Sequence, residues 1–158
     1  MGIDRALIVS AGIAVALAVG AVSWNLYSHR PPRTYRPGDR VAELPEVDFR
    51  STARTVVIFV NIRCEACRRS LPLFRAMRDR AKSTHLVIAG MDGLEFLNAY
   101  AADNGLSGCQ IVSLGRRMIP VALVPTVIVV DASSVVRRVQ VGEVKTDAEK
   151  GSLLAEVG

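Results

Sequence analysis

Short apolar runs and stretches of helical spacing alternate along the chain from about residue 55 to its end. Thr55–Asn61 is a β-branched run, which predicts a buried strand, and Glu65–Lys82 has apolar residues at helical spacing, which predicts a helix kinked at Pro72. Four further strands are predicted at His85–Ala89, Cys109–Val112, Thr126–Val130 and Val135–Val141. A second helix is predicted to be capped by Asp92 and Glu95 and to end at Asn104-Gly105. A last helix is predicted after a capping box at Thr146–Glu149. Strands alternating with helices predict an α/β sheet.

The first part of the chain has a different pattern, an apolar run without charge. Every residue from 6 to 22 is apolar or small, and no charged residue appears between Arg5 and His29. A run of that length approaches the roughly 20 residues that span a bilayer. We therefore expect residues 1–28 to be a transmembrane anchor that meets the membrane through residues 6–28. A cleaved signal peptide is the alternative, although its apolar core would be only about 7–15 residues long.

The rest of the chain has the composition of one folded domain. Of the 158 residues, 50% are hydrophobic and 22% are charged, which excludes wholesale disorder. Residues 29–36 are rich in proline and arginine and are expected to form a linker, with residues 37–158 as the soluble domain. Five arginines against two aspartates in residues 1–40 account for +3 of the formal net charge of +5. The domain is thus nearly neutral, and we expect no nucleic-acid partner.

A pair of cysteines, Cys64 and Cys67, stands where the first predicted strand is followed by the first predicted helix. Unpaired backbone N–H groups at a helix start stabilise a thiolate, and two intervening residues let one helical turn bring the two sulfurs together. Cys64, at the exposed end, is the expected nucleophile, and Cys67, on the apolar face, is expected to resolve the mixed disulfide. Arg63 adds positive charge nearby, while Glu65 opposes it or relays protons. A CxxC pair at this kind of junction is typical of thiol–disulfide redox sites.

Three other functions for the cysteine pair stay open at this point. A structural zinc site needs four ligands, and only Cys109, His29 and His85 could complete one. A Cu(I)-binding metallochaperone-like module is the second alternative, because thiolates suit Cu(I) and Met118 could supply a further ligand. A catalytically silent interaction domain is the third. Cys109 itself is expected to be a small buried hydrophobe rather than a third redox thiol, and His85 a structural residue.

A second motif, Val124-Pro125-Thr126, stands directly before an apolar strand. Together with the cysteine pair it resembles the pattern of a thioredoxin-fold protein. The stretch Asp92–Val112 resembles the helix-plus-strand insert of the TlpA/ResA-like family of membrane-anchored thiol–disulfide oxidoreductases, and Arg36–Asp39 and the anchor resemble that family as well. The resemblance implies an α/β fold: a thioredoxin-like central mixed β-sheet flanked by helices, with the insert, preceded by one N-terminal transmembrane helix.

The resemblance also implies roles for particular residues. Cys64 attacks a disulfide, Cys67 resolves the intermediate, and no cofactor is needed beyond the redox-active Cys64–Cys67 disulfide. Pro125 is implied to be cis and to face that disulfide, with Val124 offering backbone hydrogen bonds to a bound substrate segment. The expected site therefore consists of the catalytic pair Cys64 and Cys67, with Arg63, Glu65, Val124, Pro125 and Thr126 binding the substrate or shaping the site.

Proteins of this family are usually anchored outside the cytoplasmic membrane, where they reduce or exchange disulfides in partner proteins, including apocytochromes c. An upstream membrane electron donor would return the pair to its dithiol state. The arginines that follow the anchor favour a cytoplasmic domain under the positive-inside rule, whereas the resemblance favours a periplasmic, extracytoplasmic one. We expect the extracytoplasmic location, because sizeable domains translocate largely regardless of their charge.

Three features depart from the family pattern. Arg63 stands where a tryptophan is usual before the first cysteine, and Ala66 stands where a proline is usual before the second. The stretch Leu114–Leu123, with two arginines, is longer and more basic than expected; a solvated loop is the favoured interpretation and contact with an acidic partner the alternative. The residues before the first cysteine lack the proline-and-threonine motif of a peroxidatic cysteine, so peroxidase activity is not expected.

Overall fold

The computed structural model describes residues 34–115 and 119–158, which form one compact unit from Thr34 to Gly158. Its helices and strands, in chain order, are β1 (Arg54–Val60), α1 (Glu65–Arg69), α2 (Leu71–Arg80), β2 (His85–Gly90), α3 (Leu94–Asp103), β3 (Gln110–Ser113), β4 (Thr126–Asp131), β5 (Val136–Val141) and α4 (Asp147–Ala155). The predicted anchor, the first part of the linker and residues 116–118 lie outside the described residues. Within those residues, no helix has the length and apolar character needed to cross a bilayer.

The five strands form one mixed sheet in the order β3-β2-β1-β4-β5. β1, β2 and β3 run parallel, with Ile58 opposite Ile88 and Ile88 opposite Ile111. β4 is antiparallel to both of its neighbours, with Val57 of β1 opposite Ile128. Neighbouring parallel strands need a crossover connection, which α1 and α2 provide between β1 and β2, and α3 between β2 and β3. The predicted α/β mixed sheet is confirmed, with β1 at its centre.

Side chains alternate along β1, so the sheet has two apolar faces with different coverings. On one face, Val56, Ile58 and Val60 pack against helices, whose buried residues are Cys67, Leu71, Leu73, Phe74, Met77, Leu97, Ala101 and Leu153. On the other face, Val57 and Phe59 pack against a non-helical segment that contributes Tyr35, Val41, Leu44, Val47 and Phe49. All four described helices thus contribute to the same face, which is also the face that receives the second cysteine.

The helix predicted over Glu65–Lys82 is in fact two helices that meet at Ser70. The backbone N–H of Ser70 donates to the carbonyl oxygens of Ala66 and Cys67, both at 3.1 Å, and its Oγ donates to the Ala66 carbonyl at 2.8 Å. Pro72 then lies in the first turn of α2, where its missing N–H costs no hydrogen bond. The single-helix prediction is wrong because the proline starts a new helix instead of kinking an existing one.

The start of α3 and the start of β3 also differ from the sequence prediction. Gly93 is the N-cap of α3, and no side chain caps it, so the predicted capping by Asp92 and Glu95 is wrong. The Asp92 carboxylate instead accepts a hydrogen bond from the backbone N–H of Ile62 at 3.1 Å. A long-range acceptor role of this kind cannot be distinguished from capping by local sequence. β3 begins one residue after Cys109, which therefore lies in the preceding turn.

The last helix begins at the predicted capping box. Thr146 Oγ1 accepts a hydrogen bond from the backbone N–H of Glu149, and the Glu149 carboxylate accepts one from the backbone N–H of Thr146, each at 3.2 Å. These hydrogen bonds hold the pKa of Glu149 below its usual range. The box fixes the start of α4, and Leu153, further along that helix, is fully buried in the core.

Gly90 ends β2 at a point where no side chain fits. A Cβ atom there would lie 2.7 Å from Cδ2 of Leu97 and 3.0 Å from the carbonyl oxygen of Val60. We expect Gly90→Ala to lower the free energy of unfolding by about 1–3 kcal/mol, because it overpacks the junction. Denaturant titration measures this change.

The matched control is Gly151→Ala. Nothing lies within 4 Å of a Cβ atom at this exposed position in α4, so there alanine should raise the free energy of unfolding, by about 0.5–1 kcal/mol. Equal unfolding free energies for Gly90→Ala and the native chain would show that the space around Gly90 is not tight.

Candidate active site

The cysteine pair follows the carboxyl end of β1, the central strand. Three hydrogen bonds from consecutive backbone N–H groups hold the connecting loop: Ile62 to Asp92 Oδ2 at 3.1 Å, Arg63 to Asn61 Oδ1 at 2.9 Å, and Cys64 to the Asn61 carbonyl at 3.0 Å. Asp92 belongs to the loop after β2, so its carboxylate ties two neighbouring strand ends together. The loop therefore positions Cys64 at the start of α1, and the backbone N–H groups of residues 62–64 are all hydrogen-bonded.

Cys64 is the N-cap of α1, and its sulfur makes two hydrogen bonds. Sγ accepts from the backbone N–H of Cys67 at 3.3 Å and donates to the carbonyl oxygen of Val124 at 3.5 Å. A backbone N–H aimed at sulfur is the contact that a thiolate accepts. The Cys64 side chain is half-buried, so its sulfur lies at the surface of the core rather than within it.

Cys67 lies one helical turn further on and is completely buried in the core between the sheet and the helices. Burial and, next in size, the hydrogen bond with Cys64 raise the pKa of the Cys67 thiol to about 12. The Cys67 thiol is therefore protonated at neutral pH. The two cysteines thus differ in access, with Cys64 reachable from solvent and Cys67 behind it.

The segment Val124-Pro125-Thr126 lies beside the cysteine pair, because the Val124 carbonyl is the acceptor for the Cys64 thiol. The Val124–Pro125 peptide bond is cis, the conformation that the family resemblance implies. Thr126 is buried at the start of β4, and its Oγ1 donates to the carbonyl oxygen of Leu123 at 2.7 Å. Two segments that are far apart in sequence, the CxxC pair and this turn, therefore form one site.

Charged side chains next to the pair form ion pairs with one another. The Glu65 carboxylate contacts the guanidinium of Arg68 at 2.5 Å and that of Arg69 at 3.6 Å, and Arg69 also contacts Glu143 at 2.9 Å. Exposed pairs of this kind contribute little to stability. Arg63 is exposed beside them. The positive charge that the sequence places around the first cysteine is therefore partly neutralised by Glu65 and Glu143.

Within the described residues, Cys109 is the third cysteine and His85 is the histidine. Cys109 is half-buried against the same core cluster as Cys67, and burial raises the pKa of its thiol. His85 is half-buried at the start of β2. No three His, Cys, Asp or Glu side chains in residues 34–115 and 119–158 lie close enough to hold a metal ion. Met118, the further ligand proposed for Cu(I), lies outside those residues.

Four exposed apolar side chains lie on the two segments that contribute Asp92 and Val124 to the site, three after the carboxyl end of β2 and one before β4. Met91, Leu94 and Phe96 follow β2 and are 51%, 51% and 56% exposed, and Leu123, next to Val124, is 63% exposed. We call these four residues the apolar edge. Their exposure was not predictable from the sequence, because an apolar residue near a strand end has the same local pattern whether it lies in the core or faces solvent.

No protein-family model and no curated protein matches the sequence. Solved structures match its fold. The match to StoA from Bacillus subtilis has 16% sequence identity and a TM-score of 0.55, and covers 69% of this chain and 84% of StoA. A putative thiol:disulfide interchange protein DsbE from Chlorobium tepidum matches with 19% identity and a TM-score of 0.59, over 79% of this chain and 100% of that one.

A peroxiredoxin-like protein from Aquifex aeolicus also matches, with 14% identity and a TM-score of 0.59, over 80% of this chain and 91% of that one. At sequence identities this low, the structural matches show a common fold and no more, so any statement about chemistry rests on the residues of the site. The described part of the chain is therefore a thioredoxin-like α/β domain that carries the Cys64–Cys67 pair directly after its central strand.

Proposed function

We propose that the chain is a thiol–disulfide oxidoreductase that reduces disulfides of partner proteins through the Cys64–Cys67 couple. The observation that carries the proposal is the position of the Cys64 sulfur, which accepts the Cys67 N–H and contacts the Val124 carbonyl beside Pro125. A half-buried thiol in front of a fully buried one is the arrangement that a nucleophile and a resolving cysteine need. The Chlorobium neighbour is named as a thiol:disulfide interchange protein, which supports the same chemistry.

The reaction has two exchange steps. The Cys64 thiolate attacks one sulfur of a substrate disulfide, so a mixed disulfide forms and the other substrate sulfur leaves as a thiolate. The Cys67 sulfur then attacks Cys64 Sγ, which releases the second substrate thiol and leaves the Cys64–Cys67 disulfide. The substrate gains two electrons from the pair, and an upstream membrane dithiol donor then supplies two electrons that reduce the Cys64–Cys67 disulfide while the donor itself becomes a disulfide.

The substrate is a protein segment with a disulfide, with apocytochromes c among the candidates that the family resemblance supplies. The apolar edge gives such a segment a surface next to Cys64, and exposed apolar patches are typical of protein contact sites. In this proposal, Val124 and Pro125 bind and orient the substrate backbone, and the buried Thr126 shapes the turn through its hydrogen bond to the Leu123 carbonyl. Arg63 and Glu65 flank Cys64 in the sequence, and both are exposed. They make the rim of the site polar.

The domain acts outside the cytoplasm in this proposal, tethered by the apolar run of residues 6–28. Support comes from the sequence resemblance, and the arginines after the run oppose it. A pair of fusions after Gly158 tests the location, with one reporter that is active only in the cytoplasm and one that is active only outside. We expect activity from the outside reporter alone, and activity from the cytoplasmic reporter alone would contradict the proposed location.

The function itself is tested with the full-length chain in detergent, by following insulin reduction by dithiothreitol. We expect the chain to accelerate insulin precipitation in proportion to its concentration. Titration of the reduced chain with Cu(I) separates the metallochaperone-like alternative, since stoichiometric uptake without accelerated insulin reduction would support copper binding over catalysis. If the chain shows neither accelerated insulin reduction nor copper uptake, the catalytically silent interaction domain becomes the best interpretation.

A further inference from the structure

A groove lies beside the redox site, between α2, α4 and the segment that follows β5. Its volume is about 560 Å³, which is within the range of roughly 300–1,000 Å³ for pockets that hold ligands. It is lined chiefly by Arg69, Leu73, residues 143–145, Lys150 and Leu154. We call it the cationic groove. The two exchange steps of the proposed reaction give it no role.

Two walls of the cationic groove begin at the redox site. On one side, Ser70 lines the groove at the end of α1, and its backbone N–H donates to the Cys67 carbonyl oxygen at 3.1 Å. On the other side, Gly142 directly precedes the lining segment, and its backbone N–H donates to the Pro125 carbonyl oxygen at 2.7 Å. β1 and β5 are both antiparallel to β4, so their carboxyl ends lie at the same edge of the sheet. A polypeptide bound at the cysteines therefore lies next to the groove.

The cationic groove combines an apolar floor with a charged rim. Leu73 and Val144 are buried and Leu154 is half-buried, so these three side chains form the floor. The side chains of Arg69 and Lys150 are 52% and 43% exposed, so their charged ends reach solvent at the rim. Binding pockets typically have apolar linings, with a few polar groups that fix the orientation of the ligand. This lining therefore fits a ligand that carries both apolar and charged groups.

The charge available at the rim is positive. Arg69 is paired with Glu143 at 2.9 Å, so these two lining charges neutralise each other. Lys150 contacts Asp147 at 3.0 Å, but the Asp147 side chain is 97% exposed, and such surface pairs are weak. Lys145 is exposed, and its ammonium group has no ion pair or hydrogen bond within residues 34–115 and 119–158. The two lysines therefore leave positive charge for an acidic ligand.

We propose that the cationic groove binds an acidic segment with apolar side chains that flanks the disulfide of the substrate protein. This inference rests on the proposed function and names the class of substrate. In the mixed disulfide, the substrate is joined to Cys64, so contacts of the flanking segment form within one covalent complex and can be individually weak. Carboxylates of the segment pair with Lys145 and Lys150, and its apolar side chains cover Leu73 and Leu154. The groove thus selects among protein disulfides by the residues around them and leaves the two exchange steps unchanged.

The test compares two peptides that contain the same disulfide loop and are extended at both ends. One extension alternates leucine with aspartate and the other alternates leucine with asparagine, so the two peptides differ in charge alone. Each is reduced by the full-length chain in nanodiscs of zwitterionic lipid, with dithiothreitol as reductant and its own rate subtracted. The groove variant is Lys145→Glu/Lys150→Glu. The matched control is Arg80→Glu/Lys82→Glu, which makes the same change in net charge at exposed residues outside the groove.

We expect the native chain to reduce the acidic peptide with a kcat/KM about tenfold higher than that for the neutral peptide at low ionic strength. This is the combined effect of a few exposed ion pairs. The ratio should fall towards one in about 1 M salt, which screens charges beyond about 3 Å. The control should keep the native ratio, and the groove variant should bring it to one or below. A ratio of one in the native chain, or equal ratios in the two variants, would overturn the inference.

Cross-linking keeps the inference testable if the groove variant does not fold. Cys67→Ala holds each peptide on Cys64 as a mixed disulfide, and a photoactivatable leucine in the acidic extension then marks the residues that it contacts. We expect cross-links in α2 and α4, around Leu73 and Leu154. Cross-links confined to the apolar edge, or spread evenly over the surface, would overturn the inference. Failure of both peptides to form any mixed disulfide would instead contradict the proposed function, so the two failures are distinguishable.

Discussion

Cys64→Ser is expected to abolish the acceleration of insulin reduction, leaving only the rate of dithiothreitol itself. The Cys64 sulfur is the half-buried one of the pair and the one that accepts the Cys67 N–H, so it is the atom that forms the bond to substrate. Serine preserves the side-chain size and retains an acceptor for that N–H, but a hydroxyl does not exchange with disulfides. The turbidity assay compares the variant and the native chain at equal concentration.

Cys109→Ser is the matched control for that loss. It removes the same atom from a half-buried thiol on the same core cluster, and insulin reduction should continue at the native rate. Cooperative thermal unfolding of both serine variants shows that the fold persists. Catalysis by Cys64→Ser, or its loss in Cys109→Ser, would contradict the assignment of the nucleophile.

Cys67→Ala has the second large expected effect, the accumulation of a covalent complex with the substrate. The first exchange step is retained, because the backbone N–H that donates to Cys64 Sγ belongs to residue 67 whatever its side chain. The second step is lost, because no sulfur remains to attack Cys64. Reaction with a protein disulfide should therefore stop at the mixed disulfide.

Non-reducing electrophoresis and mass spectrometry detect that complex, and dithiothreitol should separate the two proteins by reducing the mixed disulfide. The double variant Cys64→Ser/Cys67→Ala is the control and should form none. In cells, Cys67→Ala captures the physiological partner through Cys64, and peptide sequencing then identifies that partner. Resolution of the complex at the native rate in Cys67→Ala would show that another group, such as Cys109, completes the reaction.

Local sequence patterns predicted most of the sheet and the position of the redox pair. The β-branched run in β1 and the CxxC spacing depend on neighbouring residues alone, and so does the capping box of Thr146 and Glu149. The pairing of Glu65 with Arg68 and Arg69 is also a local property, because residues three and four apart meet on a helix. The opposition of Glu65 to nearby positive charge, which the sequence analysis expects, therefore follows from local spacing.

Features that depend on distant contacts were not predictable in this way. The carboxylate of Asp92 binds the backbone of Ile62, thirty positions earlier in the chain. The break at Ser70 accompanies Pro72 in the first turn of α2, and the sequence alone does not decide whether a proline kinks a helix or starts a new one. Tyr100 occupies a helix position typical of a core aromatic residue, and only the three-dimensional packing shows that its hydroxyl is buried, with no hydrogen-bond partner among the described residues.

The most direct test of the redox role is to equilibrate the full-length chain in dithiol buffers of graded potential and map its disulfides by mass spectrometry. The proposed function predicts one reversible Cys64–Cys67 disulfide, with a midpoint in the range of about −270 to −120 mV that such pairs span, and with Cys109 reduced throughout. A chain in which Cys64 and Cys67 do not form a disulfide, or in which Cys109 is the partner of either, would contradict it.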